Sequence, residues 1–352
     1  MKKAIKLLAL MMLLLFICGC GIGGGQKLEA VITPVKYDRE AIVTIVSDDG
    51  NFESGIMYNE LCKKNNIGMT IAGIGEWIEP NLEEWQAMEQ EGKLEIISHS
   101  QSHIYMGEDA NVSEEELQYQ LTDSIRWFEE NFTTDQIAFV PPEVRLSQRG
   151  HEIIDEDGIV AVRVAGDEFN YLSDEVEDEK LYWDALRAVS LQTISSVDQM
   201  NAWIDKAIEK KTWMIWMWHN VTESGQEGGY EELSYTMVDA HMSYIAQKEQ
   251  EEKIWSAPFV EATKYVYERE NATISAWYNG QNITVQLRCD AKPLKQKQMD
   301  AELTVKVALP MDIDFQSIVE KNPELNLKII SEETGDFLLF EVLPNSKTVV
   351  RV

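Results

Sequence analysis

The sequence predicts an α/β barrel of seven or eight strand–helix units (39–270), followed by a small all-β domain (271–352) that reads as a sandwich. Two observations carry this. From about residue 39 to 270, strand-length apolar runs alternate with helical patterns, the mark of βα units around a mainly parallel sheet. Units of that number and size suit a closed or nearly closed barrel, with a flat doubly wound sheet as the alternative. Beyond that the period drops to two, and Asn279-Gly280 between two alternating runs is a strong hairpin signal.

The barrel strands are expected at 41–47, 68–74, 94–98, 136–140, 159–165, 186–192, 213–218 and 253–256. Helices are expected at 54–66, 81–91, 147–156, 196–211, 236–252 and 260–270, and another from the Ser113/Glu116 capping box to about Phe132. The later strands are expected at 272–278, 282–289, 301–309, 326–330 and 337–343.

The first residues read as targeting signal (1–20) and tether (21–38). Lys2, Lys3 and Lys6 precede the apolar run Leu7 to Ile17, and small residues follow, as in a secretory signal. Leu15 to Cys20 resembles the lipobox of bacterial lipoproteins, with Ile17-Cys18-Gly19 before Cys20. The resemblance implies cleavage before Cys20, a lipid on Cys20 and an extracytoplasmic, membrane-anchored protein. An uncleaved anchor fits less well, because the run is shorter than the ~20 residues of a spanning helix.

The 352 residues, 44% hydrophobic, suffice for a large core, and the net charge of -30 argues against nucleic acid, which needs clustered Lys and Arg. It argues equally against electrostatic adsorption on an anionic membrane. Cys62 and Cys289 lack metal-ligand spacing and read as buried free thiols.

Chemistry-bearing residues stand just past strand ends, where the loops of a barrel converge on one mouth. Asp48-Asp49 follow the first strand, His99 and His103 the third, Pro141-Pro142 the fourth and His219 the seventh. A carboxylate and two imidazoles leave open positions on a divalent metal. The four-residue spacing of His99 and His103 lets one helical turn or a compact loop aim both at one ion. Along 213–219, Trp213, Ile215, Met217 and His219 share a face. If that face lines the interior, His219 emerges at the mouth. His151 and His241 read as structural or surface residues.

These residues resemble the polysaccharide deacetylase (NodB-homology) family of carbohydrate esterases over roughly 39–268. The carrying motifs are Ile45-Val46-Ser47-Asp48-Asp49-Gly50, His99-Ser100-Gln101-Ser102-His103, a degraded Val140-Pro141-Pro142-Glu143, and Trp218-His219-Asn220. The resemblance implies a distorted barrel, Asp48 as general base, and Asp49, His99 and His103 as ligands of a divalent metal, usually zinc. It implies His219 as general acid and backbone N–H groups near Pro142 and Glu143 as oxyanion donors. The family's third-motif arginine has no counterpart at Phe139 or Val140; Arg145 and, preferably, Arg163 are the substitutes. Asp167 is the acidic candidate to orient His219. Trp77, Trp85 and Trp183 are the candidates for a sugar-stacking groove.

The reading is a lipid-anchored, metal-dependent deacetylase acting on an acetylated carbohydrate. A glycan-binding barrel that has lost catalysis is the alternative, and a hydrolase of another substrate class the third.

Overall fold

The structure is a computed structural model that describes residues 25–166, 168–172, 181–192, 194–291, 300–310 and 313–352. Seven parallel strands form a nearly closed barrel in the order Leu94–Ser98, Met69–Gly73, Ala41–Ser47, Thr212–Trp218, Leu186–Ser190, Ala161–Ala165 and Ala138–Phe139. An eighth, Ile254–Ser256, pairs in parallel with the N-terminal half of Ala41–Ser47, while Met69–Gly73 takes the C-terminal half of the same edge. One central strand thus serves two neighbours on one side.

The closing seam lies between Leu94–Ser98 and Ala138–Phe139, and a side chain bridges it. The buried Gln136 amide accepts from Ser98 N–H (3.0 Å) and donates to Ile96 C=O (3.0 Å), standing in for a missing backbone ladder. Thr134 Oγ1 accepts from Ile96 N–H at 3.1 Å.

Period two divides the strands between two cores. Ile42, Val46, Ala72, Ile97, Ala188, Trp213, Ile215 and Met217 pack in one cluster inside the barrel. Val43, Ile45, Met214, Trp216 and Trp218 pack in another, outward against the surrounding helices. The helix Phe259–Glu270 sits at the N-terminal ends of the strands. There Phe259 N–H donates to Thr70 Oγ1 (2.7 Å), and the Glu95 carboxylate accepts from Val260 (2.7 Å) and Glu261 (2.9 Å). A carboxylate at a helix N-terminus satisfies orphan N–H groups and complements the dipole.

The all-β part is two four-stranded antiparallel sheets with a shared apolar interior. One holds Gln26–Leu28, Ala272–Tyr278, Asn282–Cys289 and Lys347–Arg351; the other Lys328–Glu332, Gly335–Val342, Leu303–Ala308 and Ala30–Ile32. The tether reading of 21–38 is therefore corrected: Gln26–Leu28 pairs with Ala272–Tyr278 and Ala30–Ile32 with Leu303–Ala308, one strand in each sheet. Three-residue strands are too short to display a period, and distant partners fix them. The last strand, Lys347–Arg351, an edge strand of five residues with only Val350 buried, also escaped the sequence reading. Cys62 and Cys289 are buried free thiols.

Replacing Gln136 by Leu orphans the buried Ser98 N–H and Ile96 C=O. Denaturant unfolding of this variant is expected to show about 2–4 kcal/mol of lost stability. A loss below about 0.5 kcal/mol would mean that the bridge does not hold the seam.

Candidate metal centre and hydrolytic site

Backbone register sets the site. Trp218 is paired with Ser47, so the next residues along these two parallel strands, His219 and Asp48, emerge side by side. Asp48 N–H donates to Trp218 C=O (2.8 Å), and Ser47 Oγ donates to His219 C=O (2.8 Å). On the other side Gly73 is paired with Ser98, and His99 N–H donates to Gly73 C=O (2.8 Å).

Left-handed backbone then turns side chains toward a common point. Asp49 (φ 74), Ser100 (φ 69) and His103 (φ 60) all adopt it. Such conformations are costly for non-glycine residues and are held by their surroundings. Gly50 follows at φ 77, where a Cβ would meet Ile78 Cδ1 at 2.8 Å, so glycine is required. His99 and His103 are joined by a compact loop rather than a helical turn; His103 N–H donates to Ser100 Oγ (3.0 Å).

Asp49, His99 and His103 converge. Each Nε2 lies 3.6 Å from Asp49 Oδ1, and one donor atom from each residue falls within 4.8 Å of the others. His99 Nδ1 lies 2.6 Å from Val140 C=O. Donation from Nδ1–H to that carbonyl leaves the Nε2 lone pair aimed at the cluster, the usual support of an imidazole ligand. Burial pushes the His99 imidazole down to about 4, so the neutral ligating form prevails at neutral pH. Oxygen, two imidazole nitrogens and an open side make a donor set that fits a divalent cation such as zinc.

Asp48 stands beside this cluster and is held separately. Arg163, fully buried, donates from Nη2 to Asp48 Oδ1. Burial alone would raise the Asp48 carboxyl, but the Arg163 guanidinium, backed by His99 and His219, holds it below the usual carboxylate range. Arg163 Nε and Nη1 find no partner among the described residues, so Asp48 is its one described anchor. Arg145 is exposed, beside Tyr105 and Asp109, away from Asp48. In place of an arginine at Phe139 or Val140, the guanidinium on Asp48 comes from the next strand, Ala161–Ala165.

His219 Nε2 faces Asp48 Oδ2 at 3.9 Å, and its Nδ1 lies 3.0 Å from Glu231 Oε2. Burial would lower the His219 pKa, but Glu231 together with the Asp48 and Asp49 carboxylates outweighs it, and the imidazole is raised above its ordinary value. Glu231 is itself lowered: burial opposes ionisation, and the contact with His219 overcomes it. Ser190 Oγ donates to Glu231 Oε1 at 3.2 Å. Tyr230 packs edge-on against the His219 ring, with centroids 4.7 Å apart.

Glu231 and Tyr230 were not foreseen. They lie in an irregular Gly-rich segment after His219, where no periodicity signals direction; an acidic and aromatic pair so soon after a strand-end histidine was the available clue. Asp167, expected to orient His219, lies outside the described residues, as does Cys20. Pro142 is buried and Glu143 is exposed at φ 51 on the rim of the cleft. The cleft encloses about 740 Å³ above Asp48, Asp49, His99, His103, His219 and Tyr230.

The tryptophan expectations need correction. Trp85 is fully buried, its ring pressed against Gly55, so it lines no groove. Trp183 packs on Trp213 and Tyr267 and donates Nε1–H to Glu270 at the junction with the sandwich. Trp77 is exposed on the short helix Gly75–Ile78. His241, expected to be structural or at the surface, is structural: it is buried against Trp216 and Trp218, and burial pushes it down to about 3.

Residues 37–162, which supply both aspartates and the His99–His103 pair, match the profile of the Polysaccharide deacetylase family. Over this stretch, about a third of the chain, the sequence is similar to that family. No curated protein matches the chain. Among solved structures, a Mycobacterium smegmatis protein assigned to the polysaccharide deacetylases is 12% identical, with 68% of this chain and 95% of that one covered and a TM-score of 0.50; this likeness supports the fold. A carbohydrate esterase family 4 pseudoenzyme from Bacillus anthracis is 16% identical, with 64% and 66% covered and a TM-score of 0.44. A family 4 acetyl xylan esterase from Clostridium thermocellum, in complex with a cobalt ion, is 15% identical, with 63% and 90% covered and a TM-score of 0.43.

Two outcomes follow from the geometry. His99→Ala should lower divalent-metal affinity at least tenfold by calorimetric titration, since one of three donors is lost; unchanged affinity would remove His99 from the site. Glu231→Gln should lower the His219 pKa, because the carboxylate that raises it is gone. A proton held at His219 is then lost at lower pH, and its titration, followed by NMR of the imidazole, should shift toward acid. A shift toward alkali would contradict the pairing.

Proposed function

We propose that this chain is an exported, lipid-anchored hydrolase that removes acetyl groups from an extracellular carbohydrate with the help of a divalent metal, zinc being the best match to the donors. The observation that carries this reading is Asp48, which is pinned by Arg163 on one oxygen and faces His219 with the other, beside Asp49, His99 and His103. When bound there, the metal would polarise the acetyl carbonyl and acidify a water.

The chain's own residues divide the remaining work. Asp48 Oδ2 takes the proton of the attacking water; Arg163 keeps the carboxylate ionised and prevents it from turning toward the metal ligands. Geometry and a suitable pKa are what general-base action requires. His219, protonated with Glu231 behind it, delivers a proton from Nε2 to the departing sugar oxygen or nitrogen. Tyr230 holds the imidazole ring on its edge and presents an exposed aromatic face to the cleft, suited to a pyranose ring. A backbone N–H near Pro142 and Glu143, on the rim of the cleft, would meet the developing oxyanion. Among the described residues no helix is long and apolar enough to cross a membrane. The attachment proposed here is through the lipobox-like segment ending at Cys20.

The test is acetate release from acetylated chito-oligosaccharides, peptidoglycan and acetylated xylan, with and without added zinc. Metal-dependent release is expected from at least one. In Asp48→Asn, release should fall at least a thousandfold with metal content unchanged. Bound metal without release from any of these would favour a glycan-binding barrel instead.

A further inference from the structure

One sheet of the sandwich departs in charge from the rest of the chain. Its strands Gln26–Leu28, Ala272–Tyr278, Asn282–Cys289 and Lys347–Arg351 contain no Asp or Glu, although the chain has 61. The facing sheet carries Glu332, Asp336 and Glu341. Ile283, Val285, Leu287 and Cys289 point into the interior, so Thr284, Gln286 and Arg288 point out. The register extends that outer face across the sheet: Lys27, Trp277, Thr284 and Val349 form one row, and Ser275, Gln286 and Lys347 the next. The face therefore shows Lys27, Arg288, Lys347 and Arg351, all exposed, around a half-buried Trp277. Arg351 pairs with Glu324 at 2.6 Å. Lys27, Arg288 and Lys347 meet no carboxylate among the described residues.

The chain also enters the fold through this sheet. Gln26–Leu28 is its edge strand. Cys20 lies six residues before Gln26, and the apolar run Leu7 to Ile17 lies just before that. Six extended residues reach about 20 Å at most. A membrane attachment through this segment therefore brings a face whose own charged residues are basic to within about 20 Å of the bilayer, two to three Debye lengths at physiological salt.

We propose that this outer face docks on anionic phospholipid headgroups of the membrane that holds the N-terminus. Lys27, Arg288 and Lys347 meet the phosphates, and Trp277 settles at headgroup level, where indole is favoured. The sandwich shares its interior with the helix at the N-terminal ends of the barrel strands, whereas the cleft opens at their C-terminal ends. Docking thus holds the cleft off the bilayer, facing outward. The proposal rests on the membrane-attachment reading and is independent of the hydrolase reading, which acetate release tests separately.

The experiment places the full chain on phosphatidylcholine vesicles with and without phosphatidylglycerol, with quencher-labelled headgroups. A fluorophore is attached at Thr284→Cys on this face, or at Ser331→Cys on the opposite sheet. Quenching at Thr284→Cys is expected only with phosphatidylglycerol and is lost at high salt; Ser331→Cys stays bright. Each basic residue near an anionic surface strengthens binding roughly fivefold, so Lys27→Gln, Arg288→Gln and Lys347→Gln combined should weaken the contact about a hundredfold. An unchanged denaturation midpoint would show that this variant is folded. Equal quenching at both positions, quenching without phosphatidylglycerol, or no association with either vesicle overturns the proposal. So does quenching at neither position together with binding of soluble poly(glycerol phosphate) through the same three residues, which would assign the face to an anionic polymer.

Discussion

The site depends on one buried ion pair, Arg163 with Asp48. Arg163 is inaccessible and Asp48 nearly so, and neither charge is tolerable there alone. Stripping a buried pair of one partner typically costs about 3–5 kcal/mol, because the survivor keeps its desolvation penalty. This interdependence fixes Asp48 as a carboxylate with one oxygen committed and the other free. Next to it Asp49 is released to the imidazoles. Two adjacent aspartates can play different parts only because the arginine reserves one of them.

The barrel supplies the rest by topology. Parallel strands deliver their C-terminal ends to a single mouth, so residues over 170 positions apart, Asp48 and His219, become neighbours through one step of register. The strand ends alone would not aim the ligands; positive φ at Asp49, Ser100 and His103 does that. Packing elsewhere holds these conformations, through Ile78 over Gly50, Val140 C=O on His99 and Ser100 Oγ on the His103 amide. The Val140 carbonyl gives the degraded third motif a structural part through its backbone.

How much was legible in the sequence follows from where each signal came from. The barrel strands Ala41–Ser47 and Thr212–Trp218 are continuous apolar runs, and their boundaries could be read almost to the residue. Asp48, Asp49, His99, His103 and His219 stood out because they end such runs. Arg163 could be nominated from its place inside a strand, but only the fold shows its guanidinium reaching Asp48. Glu231 and Tyr230 left only a faint trace, an acidic and aromatic pair after His219: their segment is irregular, and Glu231 takes φ 45, which no local pattern announces. Trp85 misled because an amphipathic helix does not reveal which of its large residues is wholly covered. The sheet strands Gln26–Leu28 and Ala30–Ile32 were missed because their partners lie more than 240 residues later.

The most direct test of the account is a double-mutant cycle on Arg163→Met and Asp48→Asn, with unfolding free energy and acetate release measured for all four proteins. Arg163→Met alone is expected to lose about 3–5 kcal/mol of stability. Adding Asp48→Asn should restore much of that loss while leaving acetate release abolished, because the orphaned charge is gone and so is the base. Additive stability losses, or acetate release that survives Asp48→Asn, would contradict the claim that this pair organises the site.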